Sequence, residues 1–78
     1  MLTEEIVASR IRAIRVANNY SQYYMAYKLG ISQNTFSKIE IGNVKLTLSR
    51  LIDIAKVLEI APDELLKYQP EPKLEIGG

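Results

Sequence analysis

The sequence predicts an all-α domain of five short helices, and three observations carry that reading. Apolar residues recur at three- and four-residue spacing in successive segments. Each of these segments is preceded by a Ser or Thr that can cap a helix, or opens with a proline at its first position. Breaks fall at Asn18-Asn19, at Gly30 and in the run Ile41-Gly42-Asn43-Val44-Lys45, and a Pro- and Gly-containing tail follows Tyr68.

In chain order, Thr3 is the expected cap of a first helix, with Glu4 and Glu5 in the first turn, where carboxylates oppose the helix dipole favourably. Val7, Ile11, Ile14 and Ala17 form its expected buried stripe, with Arg10 and Arg12 on other faces. Ser21 is the expected cap of a second helix that runs through Leu29, with Met25, Ala26 and Leu29 inside and Gly30 as its left-handed stop. Ser32 caps a third helix, Gln33 to Glu40, whose apolar residues are only Phe36 and Ile39. The rest of that helix carries Gln33, Asn34, Ser37 and Lys38, which are amide, hydroxyl and ammonium groups rather than the Glu/Lys mixture of an ordinary solvated face. After the loop, Thr47 caps a fourth helix with Leu48, Leu51, Ile52, Ala55 and Leu58 on one side. Pro62 opens a fifth, with Asp63 and Glu64 in its first turn and Leu65 and Leu66 as anchors. One domain is expected over residues 3–68. The tail 69–78 is expected to be flexible, since Pro70, Pro72 and Gly77-Gly78 forbid regular helix, and the alternation from Lys73 to Ile76 suffices for a short strand at most.

Composition narrows the function. A chain of 78 residues holds one core and buries only about 60% of its unfolded surface, so a second copy that adds buried area would help it. The sequence has no cysteine and no histidine, which removes disulfides, Cys/His zinc sites, thiol nucleophiles and imidazole bases. Its carboxylates show no spacing that pairs them with a hydroxyl. The expectation is a protein that is not an enzyme and needs no cofactor or metal. No apolar run approaches the roughly 20 residues that span a bilayer, and Glu4 and Glu5 spoil a signal-peptide pattern at the start. A cytoplasmic protein with no membrane partner is expected.

The formal net charge is +1, but the charges are segregated. Arg10, Arg12, Arg15, Lys28, Lys38, Lys45 and Arg50 share one span with a single acid, Glu40, while the flanking segments are both net acidic. A basic stretch inside a nearly neutral chain suits a polyanion bound on one face, because neutralised phosphates release counterions.

Two short helices joined by a tight glycine-containing turn, the second capped and polar outside, match the helix-turn-helix geometry that places a recognition helix in the DNA major groove. The motif is expected between Gln22 and Ile39. Here the residues resemble a family. Ile11-Arg12-Ala13-Ile14-Arg15, Ser21-Gln22, Met25-Ala26, Leu29-Gly30-Ile31-Ser32-Gln33, Ile39-Glu40, Gly42, Leu51, Ala55 and Leu58 together are similar to the lambdoid phage repressor and Cro-like helix-turn-helix proteins, the XRE family, over Ile11 to Leu66. Ala26 and Gly30 are small where two helices are expected to approach closely.

The resemblance implies a lambda-repressor-like fold and a set of roles. Gln33 becomes the first recognition-helix residue, whose amide can bond an adenine edge with about 1 to 3 kcal/mol of discrimination. Asn34, Ser37 and Lys38 join it as base readers or contacts to nearby phosphates, with Lys38 equally able to read guanine. Gln22, Asn43 and Lys45 become phosphate contacts, with Arg10 and Arg12 as lesser candidates. Arg15 and Glu40 become a structural ion pair between the first helix and the recognition helix. The implied partner is double-stranded DNA, with a protein partner such as a toxin as the alternative use of the fold; separately, the excess of apolar residues for so small a core leads us to expect a homodimer joined through Ile52, Leu66 and Tyr68. The sequence departs from the family's pattern at Tyr23, Tyr24 and Tyr27 in the second helix, where relatives carry charged residues, at Leu46, where a proline is common, and at Ala61, where a capping serine is usual. The tyrosines either touch the DNA backbone or cover a partner.

Overall fold

A computed structural model describes residues 2–67. The order is α1 (Glu4–Ala17), α2 (Gln22–Leu29), α3 (Gln33–Ile41), α4 (Leu48–Leu58) and α5 (Pro62–Lys67), with no strand among the described residues. Tyr68, the tail 69–78 and the candidate strand Lys73 to Ile76 lie outside them.

The helices begin where hydroxyl side chains satisfy first-turn amides. Thr3 Oγ1 accepts from the Ile6 N–H at 3.1 Å, Ser21 Oγ from Tyr24 at 2.9 Å, Ser32 Oγ from Thr35 at 3.0 Å and Thr47 Oγ1 from Arg50 at 3.1 Å. Each such cap is worth about 1 kcal/mol against alanine. The helices α2 and α3 end on left-handed glycines, Gly30 at φ 72° and Gly42 at φ 83°. The left-handed residue that ends α4 is Glu59, at φ 63°.

One core joins all five helices. Ile11, Met25, Phe36, Ile54 and Leu65 are fully enclosed, and Val7, Ala8, Ile14, Ala26, Ile39, Leu51, Ala55 and Leu58 complete it. The expected interior needs three corrections. Ala17 is exposed, and Ala8 takes its place in the α1 stripe, because the last turn of α1 overhangs the core. In α4 the buried residues are Leu51, Ile54, Ala55 and Leu58, a strict three-and-four spacing. Leu48, one turn earlier, is 71% exposed, and Ile52, one position off the stripe, is half-buried. Finally, α3 continues one residue past Glu40, so Ile41 belongs to the helix rather than the loop.

Candidate nucleic-acid interface

The recognition-helix candidate α3 is fastened from behind. Phe36 and Ile39 are buried in the core. Glu40 is anchored by three hydrogen bonds: Arg15 Nε donates to Oε2 at 2.5 Å, Arg15 Nη2 to Oε1 at 3.1 Å and Gln22 Nε2 to Oε1 at 2.9 Å. Arg15 Nη1 also donates to the Tyr20 carbonyl at 2.8 Å. One carboxylate, 4% exposed, thus ties α1, α2 and the turn between them to α3. A charged pair this enclosed gives little net stability but fixes geometry, since displacing either partner leaves a charge without its counterpart.

With the back of α3 fixed, its other side faces solvent. Gln33, Asn34 and Lys38 are exposed and Ser37 is half-buried. Asn34, Lys38 and Ile41 follow one another at four and three residues, so they share a face, and Ile41 is 64% exposed there. Sequence reading missed Ile41, because it placed this residue in the loop. Its spacing from Asn34 and Lys38 is the signal that could have found it.

The other predicted residues separate into groups. Asn43 and Lys45 are exposed just past α3, alternating with half-buried Val44 and Leu46. Gln22 stands at the first position of α2, half-buried, with one N–H on Glu40 and its carbonyl unoccupied by any described residue. Arg12 is exposed on α1. Arg10 is different: its Nη1 donates to the Leu66 carbonyl at the end of α5, so its guanidinium faces α5. That contact touches the last turn of α5, which the sequence reading of Arg10 did not anticipate. Lys28 lies toward α4, in a groove it shares with Asp53 and Lys56, and 5.9 Å from the Tyr24 ring. Arg10 and Lys28 thus turn toward α5 and α4, whereas Lys45 and Arg50 line one groove with Thr35 and Ile39 of α3.

The tyrosines also divide. Tyr20 and Tyr24 are half-buried and pack together with ring centroids 4.5 Å apart and planes tilted by 40°. Burial first, and the Glu59 carboxylate second, push the Tyr20 phenol above its ordinary value. Tyr23 and Tyr27 are 67% and 72% exposed, one turn apart on α2. Of the predicted dimer residues, Ile52 and Leu66 are half-buried and Tyr68 lies outside the described residues. Leu66 lines a shallow apolar cleft with Leu2, Val7, Leu46 and Leu51.

The pattern of the helix-turn-helix family matches residues 11–65, most of the chain and all of the motif just described. The chain belongs to the XRE-type helix-turn-helix family. Among its relatives in this helix-turn-helix family, the uncharacterized HTH-type transcriptional regulator YazB of Bacillus subtilis is 43% identical over 61 residues, covering 78% of this chain and 88% of YazB. The SPbeta prophage-derived regulator YonR of the same organism is 36% identical over 58 residues, 74% of this chain, and the chain spans only 54% of its length. The crystal structure of the restriction-modification controller protein C.AhdI from Aeromonas hydrophila superposes with a TM-score of 0.75 at 27% identity, over 80% of this chain and 94% of that one. Among the described residues of this family member, no helix is long and apolar enough to cross a membrane.

One expectation about the motif is corrected. Gly30, in the turn between α2 and α3, has nothing within 4 Å of where a Cβ would stand, so close helix approach is not its reason. Its left-handed φ is. Crowding occurs instead at Gly42, where a Cβ would come within 2.9 Å of the Glu5 Cα.

Proposed function

We propose that this chain is a sequence-specific, double-stranded DNA-binding transcriptional regulator, acting as a dimeric repressor that reads a near-palindromic operator through the major groove. The observation that carries the reading is the two-sided character of α3. Its back is held by Phe36, Ile39 and the Glu40 hydrogen bonds, while Gln33, Asn34 and Lys38 stand exposed with no partner among the described residues. A rigid short helix whose free side carries amides and an ammonium is fitted to base edges, which present donors and acceptors in the major groove. Gln33, Asn34, Ser37 and Lys38 are assigned to base reading. Gln22, Asn43, Lys45 and Arg12 flank them as phosphate contacts, which position the helix without specifying sequence.

In a two-fold dimer the two α3 helices enter successive major grooves about 34 Å apart. Ile52 and Leu66, half-buried in one copy, supply apolar area for that contact. Occupancy of the operator then blocks polymerase. Restriction-modification control, the role of C.AhdI, is one setting in which such a regulator works.

The test is selection of bound sequences from a random DNA pool, with wild type and Gln33→Ala side by side. The wild type is expected to yield a two-fold symmetric consensus, and Gln33→Ala to lose preference at one position of each half-site. Affinity should fall steeply with salt, by about 0.9 logarithmic units per tenfold salt for each phosphate contact. An unchanged consensus removes the role of Gln33, and salt-insensitive binding removes the DNA reading altogether. The exposure of Tyr23 and Tyr27 supports a second reading, in which α2 holds a protein partner such as a toxin. Operator binding that survives replacement of both by alanine, with loss of a co-purifying protein, would favour it.

A further inference from the structure

The loop that follows α3 is held at both of its ends, and one of those holds comes from the far end of the sequence. At the first end, Gly42 turns the chain in the left-handed region, and the Asn43 N–H donates to the Lys38 carbonyl at 3.1 Å. At the second end, the Leu46 N–H donates to Glu4 Oε2 at 3.1 Å, across 42 residues of sequence. The first turn of α1 also closes on Gly42 itself, since a Cβ there would come within 2.9 Å of the Glu5 Cα. Between these holds Val44 and Leu46 pack against the core cluster, while Asn43 and Lys45 are exposed.

We infer that Glu4 is a positioning residue for DNA binding: it fixes the loop so that Asn43 and Lys45 are presented together to the phosphate backbone. The inference rests on the DNA-binding reading given above. It runs against simple electrostatics, which makes it sharp. A carboxylate near a polyanion lowers affinity, so on charge alone removing it should tighten binding. A carboxylate that orders the contacting loop does the opposite, because contacts made from a preorganised loop do not have to offset its ordering entropy. The same bond is unavailable to any chain with proline at position 46, which has no N–H to give. In this sequence the leucine supplies the donor.

The experiment compares Glu4→Ala with Glu4→Gln by operator affinity at fixed salt. Both lack the charge, but glutamine keeps a side-chain carbonyl that can accept from Leu46. Glu4→Ala is expected to bind roughly fivefold more weakly than Glu4→Gln, the effect of about one hydrogen bond. Glu5→Gln, in the same helical turn but without a bond to the loop, is expected to bind at least as tightly as wild type. Equal affinity for the Ala and Gln variants of Glu4 overturns the proposal. Amide exchange in the unmutated protein gives a second measure that needs no variant to fold. The Leu46 amide should exchange more slowly than that of Lys45, which has no backbone or side-chain acceptor among the described residues. Equal exchange at the two positions also overturns it. If no DNA is bound by wild type, the functional reading fails on its own, and the exchange rates still decide whether the loop is held.

Discussion

The two helices of the motif end in the same way and yet differ in what their ends touch. Both α2 and α3 finish on a left-handed glycine, and in both the following amide reaches back to close the last turn, Ile31 to Ala26 at 3.0 Å and Asn43 to Lys38 at 3.1 Å. The exit of α2 opens on space, whereas the exit of α3 is packed against the first turn of α1. A common backbone device therefore does two jobs here. In the turn it sets only a direction, while past α3 it also brings the loop under the first helix, on the side where the phosphates are proposed to lie. The anchoring of α3 to α1 is thus double, through Arg15 and Glu40 at one level and through Gly42, Glu4 and Glu5 at the other.

The largest effect is expected where that anchoring is enclosed. Glu40→Ala removes the acceptor of two Arg15 bonds and one Gln22 bond, leaving a largely buried guanidinium without its counterpart. A loss of about 3 kcal/mol is expected, at the low end for such pairs because Arg15 keeps some solvent contact. Urea unfolding measures it, and a loss below about 1 kcal/mol would show that the pair is not a principal fastening of α3. Next come the two glycines themselves. Alanine at Gly30 meets only the left-handed backbone cost of roughly 1 to 2 kcal/mol, whereas at Gly42 it must also displace the backbone of Glu5. Gly42→Ala should therefore be the more damaging by at least about 1 kcal/mol, and equal losses would erase the distinction between the two exits.

The smallest effect concerns the entry to α2. The Tyr20 phenol is raised above its ordinary value, mainly by burial and then by Glu59. The unfolded chain's tyrosine ionises near pH 10, below the folded value, so the contribution of Tyr20 is complete under about pH 10 and declines as pH rises beyond it. Stability followed across that range should fall less steeply in Tyr20→Phe than in wild type. Identical slopes would mean that Tyr20 ionises as freely in the folded protein as in the unfolded one.

Much of the fold was legible because its signals are local. Thr3, Ser21, Ser32 and Thr47 cap the helices they were expected to cap, since a hydroxyl before a periodic run acts within three residues. Burial was less legible at helix ends. Leu48 and Ala17 satisfy the periodicity of their helices but lie beyond the reach of the core, and period says nothing about how far a core extends. At the candidate site, the resemblance to the family gave Gln33 and Gln22 proposed roles, and the structure adds that Gln33 is exposed and that Gln22 donates to Glu40. It could not supply the Glu4 to Leu46 hydrogen bond, which joins positions 42 residues apart and uses a backbone donor that no side-chain pattern encodes. The contact of Arg10 with α5 was illegible for a similar reason. The residue's sequence neighbourhood is basic, but its partner is a backbone carbonyl of α5.

The division of the tyrosines gives the protein a built-in optical reporter. The chain has no tryptophan, so its near-ultraviolet emission comes almost entirely from its five tyrosines, of which Tyr68 lies outside the described residues. Tyr20 and Tyr24 pack together and are partly shielded, whereas Tyr23 and Tyr27 stand in water one helical turn apart. A soluble quencher such as iodide should dim the second pair first, and any macromolecule that settles over the outer side of α2 should shield that pair while leaving the first unchanged.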